Sequence, residues 1–294
     1  MTLTRRRFLS ISAAALCAGP ALAMSPARWR GVALGAEAEI TLHGPGAGDA
    51  LAAAVVRLRA VERCFSLYDP GSELSRLNRV GRLRPSEEFR ALVSMAETVH
   101  RATDGAFDPS VQPLWQALAL GGDVDAARAV VGWDRVAQGR EIVLGPGQAL
   151  TFNGIAQGFA TDAVAELLAA RGFDHALVDA GEFRVLGGPW RLGLADPAQG
   201  YLGTRTLTGA AVATSSPGAL MLGDTGHILD PRGQGGARWS TVSVEAERAA
   251  LADAFSTACC LMAAEEIRQA AKALPGIRRV TLVNRDGDLR TVAI

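Results

Sequence analysis

From Val32 to Leu42, apolar Ala38, Ile40 and Leu42 alternate with Glu37, Glu39 and Thr41, the period of a half-buried strand. The period then lengthens. Leu51, Val55, Leu58, Val61 and Phe65 recur at helical spacing, which predicts an amphipathic helix over Asp49 to Phe65. A polar segment with Tyr68, Ser72 and Leu74-Ser75-Arg76-Leu77-Asn78 follows. Ser86 then caps a second helix through about Val99, with Glu87 and Glu88 in its first turn. Asp104-Gly105 ends that region, and Asp108-Pro109 opens another short helix. Asn153 is the expected N-cap of a helix from Gly154 to about Ala170.

After Gly172 short apolar runs alternate with Gly and Pro, at 176–178, 190–194, 205–207 and 211–213, as in antiparallel sheet. A strand at 239–244, helices at 249–262 and to Ala273, and a final hairpin turning at Asp286-Gly287 complete the pattern. No repeat, linker or low-complexity tract interrupts it. The pattern predicts a single α+β domain, a largely antiparallel sheet packed with helices.

Composition changes this picture little. The 294 residues are 49% hydrophobic and carry 30 basic and 30 acidic side chains. No polybasic stripe suggests a nucleic-acid partner. The amino terminus matters more. Arg5, Arg6 and Arg7 precede Phe8-Leu9, an apolar run from Ile11 to Leu16, and small residues around Ala21 and Ala23. This order resembles a twin-arginine export signal. Residues 1–23 are expected to be removed, leaving 24–294 as a periplasmic domain with no later stretch long enough to span a membrane. The remaining cysteines, Cys64, Cys259 and Cys260, do not form a disulfide framework and are expected to be core residues.

Three fragments carry candidate chemistry. In Ala252-Asp253-Ala254-Phe255-Ser256-Thr257-Ala258, Asp253 and Thr257 stand one helical turn apart, where a carboxylate and a hydroxyl can bind a hard cation such as magnesium. The same pair also suits a helix-start acid and a Thr bonded to its own backbone. In Gly226-His227-Ile228-Leu229-Asp230-Pro231, a His on a short strand can serve as a general base or as a structural side chain. Glycines at 154 and 158 open a helix start to phosphate, or to tight packing.

Taken in order, these fragments resemble the ApbE family of FAD:protein FMN transferases. The matching elements also include Ser66-Leu67-Tyr68, Ser75 to Asn78, Thr103-Asp104-Gly105-Ala106-Phe107-Asp108-Pro109, and Ala213-Thr214-Ser215. The resemblance implies Mg²⁺-dependent transfer of FMN from FAD to a Thr or Ser hydroxyl of an exported or membrane-bound flavoprotein, with release of AMP. It implies Asp253, Thr257 and a carbonyl near Gly154 as metal ligands, and His227 as the base. Tyr68, Ala106, Phe107, Asp108 and Ile228 would line the FAD pocket. Where the family carries a Lys between the two glycines, this chain has Gln157, and Lys272 is its single lysine. Asp179-Ala180-Gly181-Glu182 stands where the family favours paired glycines. Thr151-Phe152-Asn153-Gly154 replaces the family's Asp-Leu-Gly-Gly, and loss of that acid and of the Lys leaves room for a flavin carrier, while the same metal could serve hydrolysis of FAD by water.

Overall fold

The computed structural model describes residues 26–294. The predicted export signal at 1–23 lies outside the described residues.

Eight antiparallel strands form the main sheet, and their spatial order follows the chain: β1 (Ala27–Ala33), β2 (Ala36–Leu42), β3 (Ala176–Asp179), β4 (Phe183–Leu186), β5 (Ala211–Ser215), β6 (Thr241–Ala246), β7 (Ile277–Val283) and β8 (Leu289–Val292). Each β connection therefore returns to the neighbouring position, and the long excursions hang between adjacent strands. Between β2 and β3 lie α1 (Ala47–Phe65), α2 (Glu73–Val80), α3 (Glu87–Ala102), α4 (Gln112–Leu120), α5 (Val124–Ala129) and α6 (Ala156–Ala170). Between β6 and β7 lie α7 (Ala249–Cys259) and α8 (Ala264–Lys272). The chain has the predicted α+β architecture, and no described helix is long and apolar enough to cross a membrane.

Alternation along the strands divides the core in two. Ala176, Val178, Ala213, Val244 and Ala246 face the helices and join the main cluster, with Phe65, Phe89, Phe152 and Phe255 at its centre. Leu177, Phe183, Val185 and Val212 face the other way. There they are covered by Trp190, Leu192 and Leu207 of a separate hairpin, Trp190–Asp196 with Gly200–Leu207. One sheet face thus carries the helical layer, and the hairpin covers part of the other.

Several predicted elements differ from those observed. The single strand expected over Val32–Leu42 is two strands, because the chain reverses at Leu34 and Gly35, with φ of 48° and 84°. The polar segment after Tyr68 holds α2. Ser72 caps it by accepting from the Ser75 N–H at 2.9 Å, and it buries Leu74 and Leu77 against the core. Asn153 is exposed and is not a cap, since α6 begins at Ala156 and its N-cap position, Ile155, offers no side-chain bond. The two-residue strand Thr225–Gly226 ends before His227 rather than containing it.

The three described cysteines are free; Cys259 and Cys260 are buried core residues as expected, and Cys64 is half-buried. Burial, helped by the Glu73 and Glu88 carboxylates, pushes the Cys64 thiol up to about 12. Burial raises the other two thiols as well.

Candidate active site

α6 and α7 cross near their amino termini, and Gly158 sets how closely. A Cβ there would lie 2.3 Å from the Ala249 oxygen and 2.7 Å from the Ala250 Cα, so only glycine permits the approach. Of the two uses open to this glycine, close packing is the one observed, here of helix on helix. The contact also brings the Gly158 N–H to Asp253 Oδ2 at 3.0 Å. That amide belongs to the first turn of α6, where no intrahelical acceptor exists. Asp253 therefore supplies from another helix the cap that Asn153 was expected to provide.

Thr257, one turn beyond Asp253, stands against the backbone at residue 154. A Cβ on Gly154 would lie 2.9 Å from Thr257 Oγ1, so the cradle beside the hydroxyl is one that a side chain would fill. The surroundings are buried but polar. Ser215 Oγ contacts Ser256 Oγ at 2.7 Å and Thr257 Oγ1 at 3.4 Å. Glu182 is buried nearby, its Oε2 accepting the Thr214 N–H at 3.0 Å. Burial raises the pKa of Asp253, opposed by the Gly158 bond and reinforced by Asp162. Burial and the Asp253 charge likewise raise that of Glu182.

A hard cation suits this donor set. Asp253 has spent one oxygen on an amide and keeps the other, and Thr257 offers a hydroxyl beside the bare backbone of Gly154. Among the described residues no group of three or more His, Cys, Asp or Glu side chains could hold a metal. A site with a single carboxylate is the kind magnesium uses when substrate phosphates complete its shell, not the thiolate or imidazole set of zinc.

His227 is joined to this region through β5. Two residues beyond Ser215, the Pro217 carbonyl lies 3.1 Å from His227 Nδ1. A carbonyl only accepts, so Nδ1 carries the proton and Nε2 keeps its lone pair. The His227 N–H also donates to the Leu220 carbonyl at 3.0 Å. Gly226 is required beside it, because a Cβ there would stand 2.6 Å from the Pro217 oxygen. Burial lowers the His227 pKa, so the ring stays neutral near pH 7.

The remaining predicted residues divide. Ala106 and Phe107 are buried in the main core. Asp108 Oδ1 accepts from the Ser110 N–H at 2.7 Å and hydroxyl at 2.6 Å, and Oδ2 from the Trp133 N–H at 3.2 Å. Its side chain thus holds the loop that leads into α4. Ile228 is half-buried against the core, and Tyr68 is 71% exposed. A Cβ on Gly105 would lie 3.9 Å from Arg232 Cγ, so the Thr103–Pro109 motif and the segment after His227 adjoin. Asn78 clamps Leu150 with two bonds, its Nδ2 to the carbonyl at 2.8 Å and its Oδ1 from the N–H at 2.7 Å. A cleft lined by Arg76, Val80, Arg82, Leu83, Arg84 and Glu141 contains none of the predicted site residues.

Sequence reasoning missed Asp162 altogether and assigned Ser256 no part. The signal for Asp162 was an acid in the apolar run of α6, four residues after Gly158, on the turn before Glu166.

Comparison with known proteins follows the same outline. The ApbE family model matches residues 34–281. The chain is 28% identical over 286 residues to a FAD:protein FMN transferase of Rhodobacter capsulatus, covering 85% of this chain and 54% of that protein. It is 26% identical over 208 residues to a FAD:protein FMN transferase of Klebsiella pneumoniae, covering 63% and 66%. It therefore spans between half and two thirds of the length of these curated relatives. Among solved structures, the ApbE protein of Thermotoga maritima superimposes with a TM-score of 0.81 at 26% identity, covering 90% of this chain and 96% of the other.

Proposed function

The chain belongs to the ApbE family, and from that premise we propose that it transfers the FMN half of FAD to a hydroxyl of an acceptor flavoprotein. The observation that carries this reading is the crossing of α6 and α7. There the Gly158 N–H holds one oxygen of Asp253 while Thr257 stands against Gly154. Two relatives named FAD:protein FMN transferase support the same reaction.

In this reading Asp253, Thr257 and the Gly154 carbonyl hold Mg²⁺. When bound, the ion neutralises pyrophosphate charge and the charge that develops on the departing phosphate. His227 Nε2, free of other duties, accepts the proton of the incoming Thr or Ser hydroxyl. The new bond joins that oxygen to the phosphorus on the FMN side of the pyrophosphate. The bond that breaks is the one to the bridging oxygen, which leaves with AMP. Pro217 keeps the imidazole in the accepting tautomer until Nε2 takes that proton. Gln157 sits at the start of α6 with its amide over Gly181, 2.6 Å from where a Cβ would be. It offers hydrogen bonds to a phosphate without charge. The amino-terminal pattern supports a site of action outside the cytoplasm.

The test is incubation of the mature chain with FAD, Mg²⁺ and a Thr-bearing peptide, followed by mass spectrometry. The expected result is a peptide heavier by one FMN moiety, one AMP released per transfer, and loss of both when Mg²⁺ is chelated. FMN and AMP appearing without modified peptide would instead establish hydrolysis. Bound FAD that remains intact would establish a carrier.

A further inference from the structure

α7 begins without a cap of its own. Arg248 at its N-cap position offers no side-chain bond, so the Ala249 and Ala250 N–H groups lack acceptors within the helix. Both are met by one carboxylate on α6. Asp162 Oδ1 accepts the Ala249 N–H at 2.9 Å, and Oδ2 accepts the Ala250 N–H at 3.1 Å. Arg184 Nη1 lies 2.7 Å from Oδ1 and Arg248 Nε 3.5 Å from Oδ2, so the charge on this side chain, only 1% exposed, is compensated on both oxygens.

The arrangement is reciprocal. Asp162 stands one turn after Gly158 and caps α7. Asp253 stands one turn after Ala249 and caps α6 through the Gly158 N–H. Between the two caps lies the glycine contact that admits no Cβ. A slide or rotation of α7 that strains either Asp162 bond therefore also moves Asp253 from Gly158, and Thr257 from Gly154.

We propose that Asp162 is a positioning residue that sets the register of α7 on α6 and so places Asp253 and Thr257 for the divalent cation. This rests on the metal reading given above. Asp253 is four residues along α7 from the first capped amide, about 6 Å of helix rise. Magnesium requires oxygens at about 2.0–2.1 Å in near-ideal octahedral geometry, so a small displacement of the pair weakens its hold. Groups that orient ligands from behind are typically worth about 10–100-fold in metal affinity.

The experiment uses Mn²⁺ as a paramagnetic stand-in for Mg²⁺ and follows loss of its free-ion resonance on addition of protein. The variants are Asp162→Asn, Asp162→Ala and, as the reference for a lost ligand, Asp253→Asn. Asp162→Asn keeps the shape and one acceptor oxygen. It is expected to fold cooperatively and bind Mn²⁺ about 10-fold more weakly, with Asp162→Ala weaker still. Transfer by Asp162→Asn should recover most of its maximal rate once Mg²⁺ is raised to saturation. If Asp162→Asn fails to fold, or melts early with Mn²⁺ affinity within about twofold of the parent, Asp162 is a stability residue only and the proposal is overturned. If the parent chain shows no Mn²⁺ binding that Asp253→Asn removes, the metal reading fails first, and the positioning role with it.

Discussion

At the crossing of α6 and α7, Asp253 is fixed by an amide of another helix and backed by buried Ser256, Glu182 and Asp162. His227, on the segment between β5 and β6, is fixed by the carbonyls of Pro217 and Leu220 and is half-buried. On the proposed reading, the first arrangement makes the same atoms serve packing and chemistry. The second separates them, since main-chain oxygens hold His227, that of Pro217 at the ring and that of Leu220 at the backbone N–H. Substitutions at the crossing should therefore register in stability and in activity together. Those at His227 should register in activity alone.

Asp253→Asn should give the largest effect. The amide oxygen can still accept from Gly158, but the charge is gone, and FMN transfer should fall by on the order of 10³. Stability should move the other way. A buried acid with a raised folded pKa binds more protons folded than unfolded, so without metal its ionised form destabilises the fold as pH rises. The Asn variant should match or exceed the parent's urea midpoint at pH 8 in chelator. A lower midpoint would break the contrast.

His227→Gln should lower transfer by on the order of 10², and its melting temperature should stay within about 1 °C of the parent. The parent's rate should fall on acidification as the imidazole protonates. Because burial lowers the His227 pKa, that limb should lie below about 6.5. It should vanish in the Gln variant.

Gly158→Ala pushes a methyl into the Ala249 carbonyl and should destabilise by about 1–3 kcal/mol in urea unfolding. Weaker metal binding should accompany the loss. Unchanged metal binding would show that the crossing can open without moving Asp253.

The smallest effect tests whether raised acids are confined to the crossing. Asp179 accepts the Gly181 N–H at 3.0 Å, and burial, with Glu39 and Glu37 nearby, pushes its carboxyl up to about 7. The carboxyl is neutral in both states well below the usual carboxylate value, and its cost to folding grows from there until it is complete above about pH 7. Asp179→Asn should raise the melting temperature by about 2–4 °C at pH 8 and leave it unchanged near pH 3.

What the sequence made legible follows from the range of the forces involved. α1, α3 and the last hairpin were readable because a periodic apolar face, the Ser86 cap and the Asp286-Gly287 turn are local. α2 was hidden because only Leu74 and Leu77 of its eight residues are buried, too few to mark a period. The first hairpin was merged because alternation continues through Leu34, and left-handed backbone is not expected of a leucine. The pairing of Asp253 with Thr257 could be read from one turn of helix. The cap on Gly158 could not, since its donor and acceptor are 95 positions apart. Asp162 escaped for the same reason, its two amide partners lying 87 and 88 positions away. His227 was found as a chemical type, while its tautomer depends on Pro217, ten positions back.

The three described cysteines give the folded domain a clock. With Cys259 and Cys260 buried, and all three of these thiols held far from the reactive anionic form, alkylating reagents reach the buried pair only when the chain opens. Labelling at Cys64 should follow partial openings around α1, and labelling at Cys259 and Cys260 should wait for release of the helix that carries Asp253. The order in which the sulfurs become modified would then time the loss of each part of the fold with no added reporter.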